Sequence, residues 1–140
     1  AYVFNILKFV AWPDVGDAPL TLCVLGKKPS IETLNRLSGR IIGNRSLEVR
    51  HIEATHQAAN CHAVFLSTLV NGQLPATLKT LGHHHPLTIS DLPQFAEVGG
   101  MVSLFEDDSY LRLGVNLGAL KENGLSISSE LLEIAAKVIP

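Results

Sequence analysis

Leu20-Thr-Leu-Cys-Val-Leu25 and Cys61-His-Ala-Val-Phe-Leu-Ser67 are the two stretches whose reading decides the fold. Each is a nearly continuous apolar run. A strand with one wet face alternates polar and apolar residues; a strand covered on both faces does not. Both stretches therefore predict central strands of a sheet with helices above and below it.

The pattern continues on either side. Gly26-Lys-Lys-Pro-Ser30 turns into a helix over 30–38, with Ser30 as N-cap. Gly39 and Gly43 punctuate a loop, and Leu47-Glu-Val-Arg-His-Ile52 alternates as a half-exposed strand. A short helix over 55–59 precedes the second apolar run. A helix over 73–81 follows it, with Pro75 tolerable only in the first turn. Residues 87–90 form a further strand, and 92–97 a helical turn before Gly99-Gly100. Strands over 101–105 and 110–116 flank the acidic turn Glu106-Asp-Asp-Ser109 as a hairpin. A helix over 117–123 closes at Gly124. Ser128 caps a last helix that places Leu131, Ile134, Ala135 and Val138 on one face.

At the other end, 2–12 reads as a helix stopped by Pro13. Val3, Ile6, Leu7 and Val10 share its inner face, while Phe4, Phe9 and Trp12 fall elsewhere on it. Strands alternating with helices imply an α/β fold: a mostly parallel, doubly wound (Rossmann-like) sheet with helices on both faces. The antiparallel hairpin is expected at an edge.

The 140 residues predict a single domain, 1–140. Apolar residues make up 46% and charged ones 17%, which excludes wholesale disorder. A net charge of −2 lacks the positive field of a nucleic-acid binder. The longest strongly apolar stretch, 2–12, contains Asn5 and Lys8 and is too short to span a bilayer.

Motifs of catalysis and cofactor binding are absent from the sequence. No G-x-G-x-x-G follows the first apolar run, and Gly26-Lys-Lys-Pro-Ser30 lacks the second glycine of a Walker loop. No G-x-S-x-G elbow or local Cys–His signature occurs. The expectation is no enzyme, no catalytic residue and no cofactor. His83-His84-His85 invites a metal reading, but adjacent residues point to different sides, so a solvated loop is expected and no metal.

Open α/β sheets take ligands beyond the carboxyl ends of their strands. Those ends carry Gly26, Lys27, Lys28, Ser67, Thr68, Ser90 and Asp91. Lys27, Lys28, Ser67 and Ser90 form a candidate site for a small anion; the competing reading is loop solvation and helix capping. Cys23 and Cys61 form no C-x-x-C, and two buried thiols or a disulfide both suit the residues.

Three segments of the first half stand out as motifs: Phe9-Val-Ala-Trp-Pro13, Leu22-Cys-Val-Leu-Gly26 and Asn60-Cys-His-Ala-Val-Phe-Leu66. The tail adds Leu87-Thr-Ile-Ser-Asp91, Phe95-Ala-Glu followed by Gly99-Gly-Met101, Val115-Asn116, and Gly124-Leu-Ser-Ile-Ser-Ser129 with Leu131-Leu132. Together, in this order and spacing, they resemble the YfiR family of small periplasmic regulators. The likeness runs from about Tyr2 to Ile139, and the histidine tract departs from it.

The resemblance implies a periplasmic, non-enzymatic protein that represses an inner-membrane diguanylate cyclase by contacting its periplasmic part. An outer-membrane lipoprotein would relieve that repression, and the output would be cyclic di-GMP control of biofilm formation. It also implies a Cys23–Cys61 disulfide, since the family's paired cysteines map onto these positions. A second cysteine pair found in some members is missing. A homodimer is expected, with Phe4, Phe9 and Trp12 as dimer or partner contacts; alternatively Pro13 bends the chain and tucks these aromatics into the domain. The competing functions are a periplasmic small-molecule or nucleotide sensor and a small cytosolic enzyme.

Overall fold

The computed structural model describes residues 2–12, 17–26, 28–67, 74–82 and 84–140. The N-terminal segment gives α1 (Tyr2–Lys8) and β1 (Val10–Ala11). The first apolar run is β2 (Leu20–Leu25), followed by α2 (Lys28–Asn35). Then come β3 (Ile41–Ile42), β4 (Arg45–His51), a 3-10 helix (Thr55–Asn60) and β5 (Ala63–Leu66). The next elements are α3 (Leu74–Gly82), β6 (Leu87–Ser90), β7 (Val102–Asp107) and β8 (Tyr110–Asn116). The chain finishes with α4 (Leu117–Glu122), β9 (Ser126–Ile127), α5 (Ser129–Ile134) and β10 (Lys137–Ile139).

One eight-stranded sheet runs β10-β8-β7-β6-β5-β2-β4-β3, and β1 pairs with β9 apart from it. The pairs β2–β4, β2–β5, β5–β6, β6–β7 and β8–β10 are parallel. The β7–β8 hairpin and β3–β4 are antiparallel. The mostly parallel α/β fold is the one the apolar runs predict.

The continuous apolar runs are explained by two cores, one on each face. Along β2, Leu20, Leu22 and Val24 enter the first core, while Cys23 enters the second. β5 divides likewise, Ala63 and Phe65 against Val64 and Leu66. This is the two-residue period of a strand with apolar cover on both sides. Val3, Ile6 and Leu7 of α1, Leu34 of α2, Leu120 of α4 and Leu131 of α5 complete the first core. Ala58 of the 3-10 helix, Leu81 of α3 and Phe95 complete the second.

Several local expectations are corrected. The helix expected over 2–12 stops at Lys8, and 10–11 pair with 126–127. The Ser128 N–H donates to the Phe9 carbonyl (2.9 Å), so a tertiary strand partner takes over the backbone that a longer helix would have used. The loop between Gly39 and Gly43 contains β3, because Gly43 at φ +62° allows a two-residue turn back into β4. The turn expected over 92–97 lies over 93–99, where the Val98 N–H donates to the Gln94 carbonyl (3.1 Å) and Gln94 stands at φ +60°.

The last helix ends at Ile134, and β10 lies outside the hairpin, which is therefore not the edge. The Ala136 N–H donates to the Leu113 carbonyl (2.8 Å), so the free side of β8 captures the chain. Of the four residues expected on one face of that helix, Ala135 and Val138 lie beyond its end; Leu131 is buried and Ile134 is 68% exposed. α2 begins at Lys28, upstream of Ser30, which is not its N-cap.

Candidate functional site

Cys23 and Cys61, 38 positions apart in sequence, are joined in a disulfide with Cα atoms 5.9 Å apart. Cys23 lies in β2. Cys61 closes the 3-10 helix, its N–H donating to the Ala58 carbonyl (3.1 Å). The bridge therefore staples the segment before β5 onto β2, inside the second core. Both residues are buried.

His62, next in the chain, points into a polar cluster on the other side. The Thr21 N–H donates to His62 Nδ1 (3.0 Å), and Nε2 lies 3.3 Å from Arg45 Nη2. Arg45 is buried at 6% exposure, and its Nε–H donates to the Ala18 carbonyl (2.7 Å). Trp12 meets the His62 ring edge-on, with centroids 6.0 Å apart. Its indole N–H is buried with no hydrogen-bond partner among the described residues. The one sequence signal that singles out His62 is its place beside Cys61.

Phe4, Phe9 and Trp12 are each half-buried and packed against the first core. They serve the fold as well as whatever surface they leave open. Phe4 carries two cations over its ring: Lys8 Nζ at 5.7 Å and Arg40 Cζ at 5.4 Å from the centroid.

At the strand ends the structure brings Ser67 and Ser90 to neighbouring positions after β5 and within β6. The Ser90 hydroxyl is fully buried; it donates to the Leu66 carbonyl and accepts from the Leu92 N–H (2.9 Å). The switch in strand order falls between β2 and β5, where a ligand crevice is expected. There the Ser67 N–H donates to the Leu25 carbonyl (3.0 Å), and the Ser67 hydroxyl occupies the place of a Cβ at Gly26. A glycine immediately after a strand is the sequence signal for such a close approach. Lys27 and Thr68 lie outside the described residues, as does the side chain of Lys28.

His84 and His85 leave α3, and His83 lies outside the described residues. His85 Nδ1 is 2.8 Å from Asn123 Oδ1. No group of three metal-ligating side chains occurs among the described residues. A depression of about 190 Å³ over β7 is lined by Leu92, Gln94, Glu97, Ser103, Phe105 and Lys137. Among the described residues no helix is long and apolar enough to cross a membrane.

A family model described as YfiR/HmsC-like matches residues 1–136. The chain belongs to the YfiR/HmsC-like family. This family is regulatory and non-catalytic, and membership supports a periplasmic role in the regulation of diguanylate cyclase signalling in general. Two solved structures share the fold. A conserved domain protein from Vibrio cholerae O1 biovar El Tor is 14% identical with a TM-score of 0.66, over 98% of this chain and 58% of that one. An ABC domain in complex with L-Trp from Streptococcus pneumonia is 15% identical with a TM-score of 0.61, over 86% of this chain and 55% of that one. The YfiR/HmsC-like chain thus spans little more than half the length of either structure. At such identities the likeness is one of fold.

Proposed function

We propose that residues 1–140 form one YfiR-like domain acting as a periplasmic negative regulator. In this reading it binds the periplasmic part of an inner-membrane diguanylate cyclase and restrains cyclic di-GMP output and biofilm formation. An outer-membrane lipoprotein would sequester it, and the repressor would work as a homodimer. The observation that carries the reading is the family match over 1–136. The buried Cys23–Cys61 bridge supports it, because disulfides persist in oxidising compartments such as the periplasm. The exposed parts of Phe4, Phe9 and Trp12 are the proposed contacts, since aromatic anchors are common at interfaces.

The alternative is a periplasmic small-molecule or nucleotide sensor, with Lys27, Lys28, Ser67 and Ser90 around an anion. The neighbour solved with L-Trp speaks for it. Against it stands the Ser90 hydroxyl, which is already engaged by the Leu66 carbonyl and the Leu92 N–H.

The test is to export the chain to the periplasm of strains that each carry one membrane-anchored diguanylate cyclase and a cyclic di-GMP reporter. A several-fold fall with one of the cyclases is expected. Unchanged output with every cyclase would reject the repressor reading.

A further inference from the structure

Phe4 brings together two cations that the fold does not otherwise need to meet. Lys8 belongs to the same helix, one turn on, while Arg40 arrives from the turn before β3. Both lie within 6 Å of one ring centroid, so their charges are at most about 11 Å apart. The ring faces attract cations, which offsets the mutual repulsion and holds the pair in place. Both cations are exposed. Lys137 and Glu97 form an ion pair (3.7 Å), whereas neither Lys8 nor Arg40 has a carboxylate within pairing distance among the described residues. In a chain of net charge −2, this is a positive site with no carboxylate paired to it among the described residues.

We infer that Lys8 and Arg40, held on Phe4, form a docking site for an acidic protein segment. Carboxylates two apart on an extended segment are separated by about 7 Å, and those four apart on a helix by about 6 Å. Either spacing lies within the reach of the two cations. Arg40 offers a planar fork for a carboxylate, and Lys8 a point charge. A membrane surface suits the site less well. Polybasic membrane attachment uses about 4–8 clustered basic residues, and the ring that would have to insert is packed against the first core. The inference rests on the repressor reading only in supposing that the chain has a protein partner.

The test uses the oxidised full chain and three probes: a short peptide with two glutamates two positions apart, its glutamine counterpart, and vesicles containing phosphatidylglycerol. Amide chemical shifts are followed at about 10 mM and about 0.15 M salt. The glutamate peptide is expected to shift residues 4–8 and 36–41, with about tenfold weaker binding at the higher salt. In Lys8→Gln/Arg40→Gln the binding should fall by about tenfold, with an unchanged melting temperature. Arg112→Gln/Lys121→Gln should bind like the parent chain. Equal binding of the glutamine peptide, loss in the control variant alone, or binding to vesicles but not peptide would each overturn the proposal. No cyclase takes part, so failure here is separate from failure of the repressor reading.

Discussion

Trp12 and His62 stand edge to face, ring planes at 83° and centroids 6.0 Å apart. That contact ties the N-terminal segment to the residue following the bridged Cys61. It also explains how an aromatic outside the inner face of the first helix still serves the fold: α1 ends at Lys8, and the extended residues after it carry Trp12 over the polar cluster.

Trp12→Ala is therefore expected to destabilise the chain by about 3 kcal/mol, the low end for removing a large aromatic, since Trp12 is half-buried. Denaturant unfolding of the oxidised protein measures this, and sizing chromatography of the same variant reads association. A variant that melts like the parent but loses its dimer would assign Trp12 to an interface instead.

Replacing both Cys23 and Cys61 by alanine should cost up to about 4 kcal/mol, because the bridge closes a loop of 38 positions in the unfolded chain. Thiol titration of denatured, unreduced protein should find no free thiol at either position. Two thiols per chain in protein taken from the periplasm would contradict the bridge.

Gly26→Ala should destabilise by about 1–3 kcal/mol, since its methyl would overlap the Ser67 hydroxyl. Adding Ser67→Gly should restore most of the loss. If the double variant is no better than Gly26→Ala alone, the two strand ends are not in the contact described.

Ser90→Ala removes the acceptor of the Leu92 N–H and the donor to the Leu66 carbonyl at a fully buried position. A loss of about 2 kcal/mol follows from leaving buried backbone groups unsatisfied. Calorimetry with inorganic phosphate should show the same heat for variant and parent. A phosphate affinity that collapses in Ser90→Ala would revive the anion-site reading.

The sequence by itself determined the elements whose residues carry their own reason. The apolar runs of β2 and β5 required cover on both faces, and the structure supplies two cores between which alternate residues divide. The hairpin turn was legible too, although only Asp108 and Ser109 form it, both at positive φ. Glu106 and Asp107 belong to β7.

The tertiary structure decided the rest, where short segments take the conformation a distant partner offers. Val10-Ala11 is extended because 126–127 lie alongside, and Lys137–Ile139 is a strand because β8 has a free edge. A helical face and a strand edge compete for the same few residues there, and local propensity is too weak to choose. The same holds for the site. Cys61-His62 is visible in the chain, but the meeting of His62 with Thr21, Arg45 and Trp12 joins residues from four segments. The pairing of Lys8 and Arg40 on Phe4 likewise spans α1 and the turn before β3. Such contacts depend on how β2, β4 and the N-terminal segment lie against one another, and no local pattern encodes that.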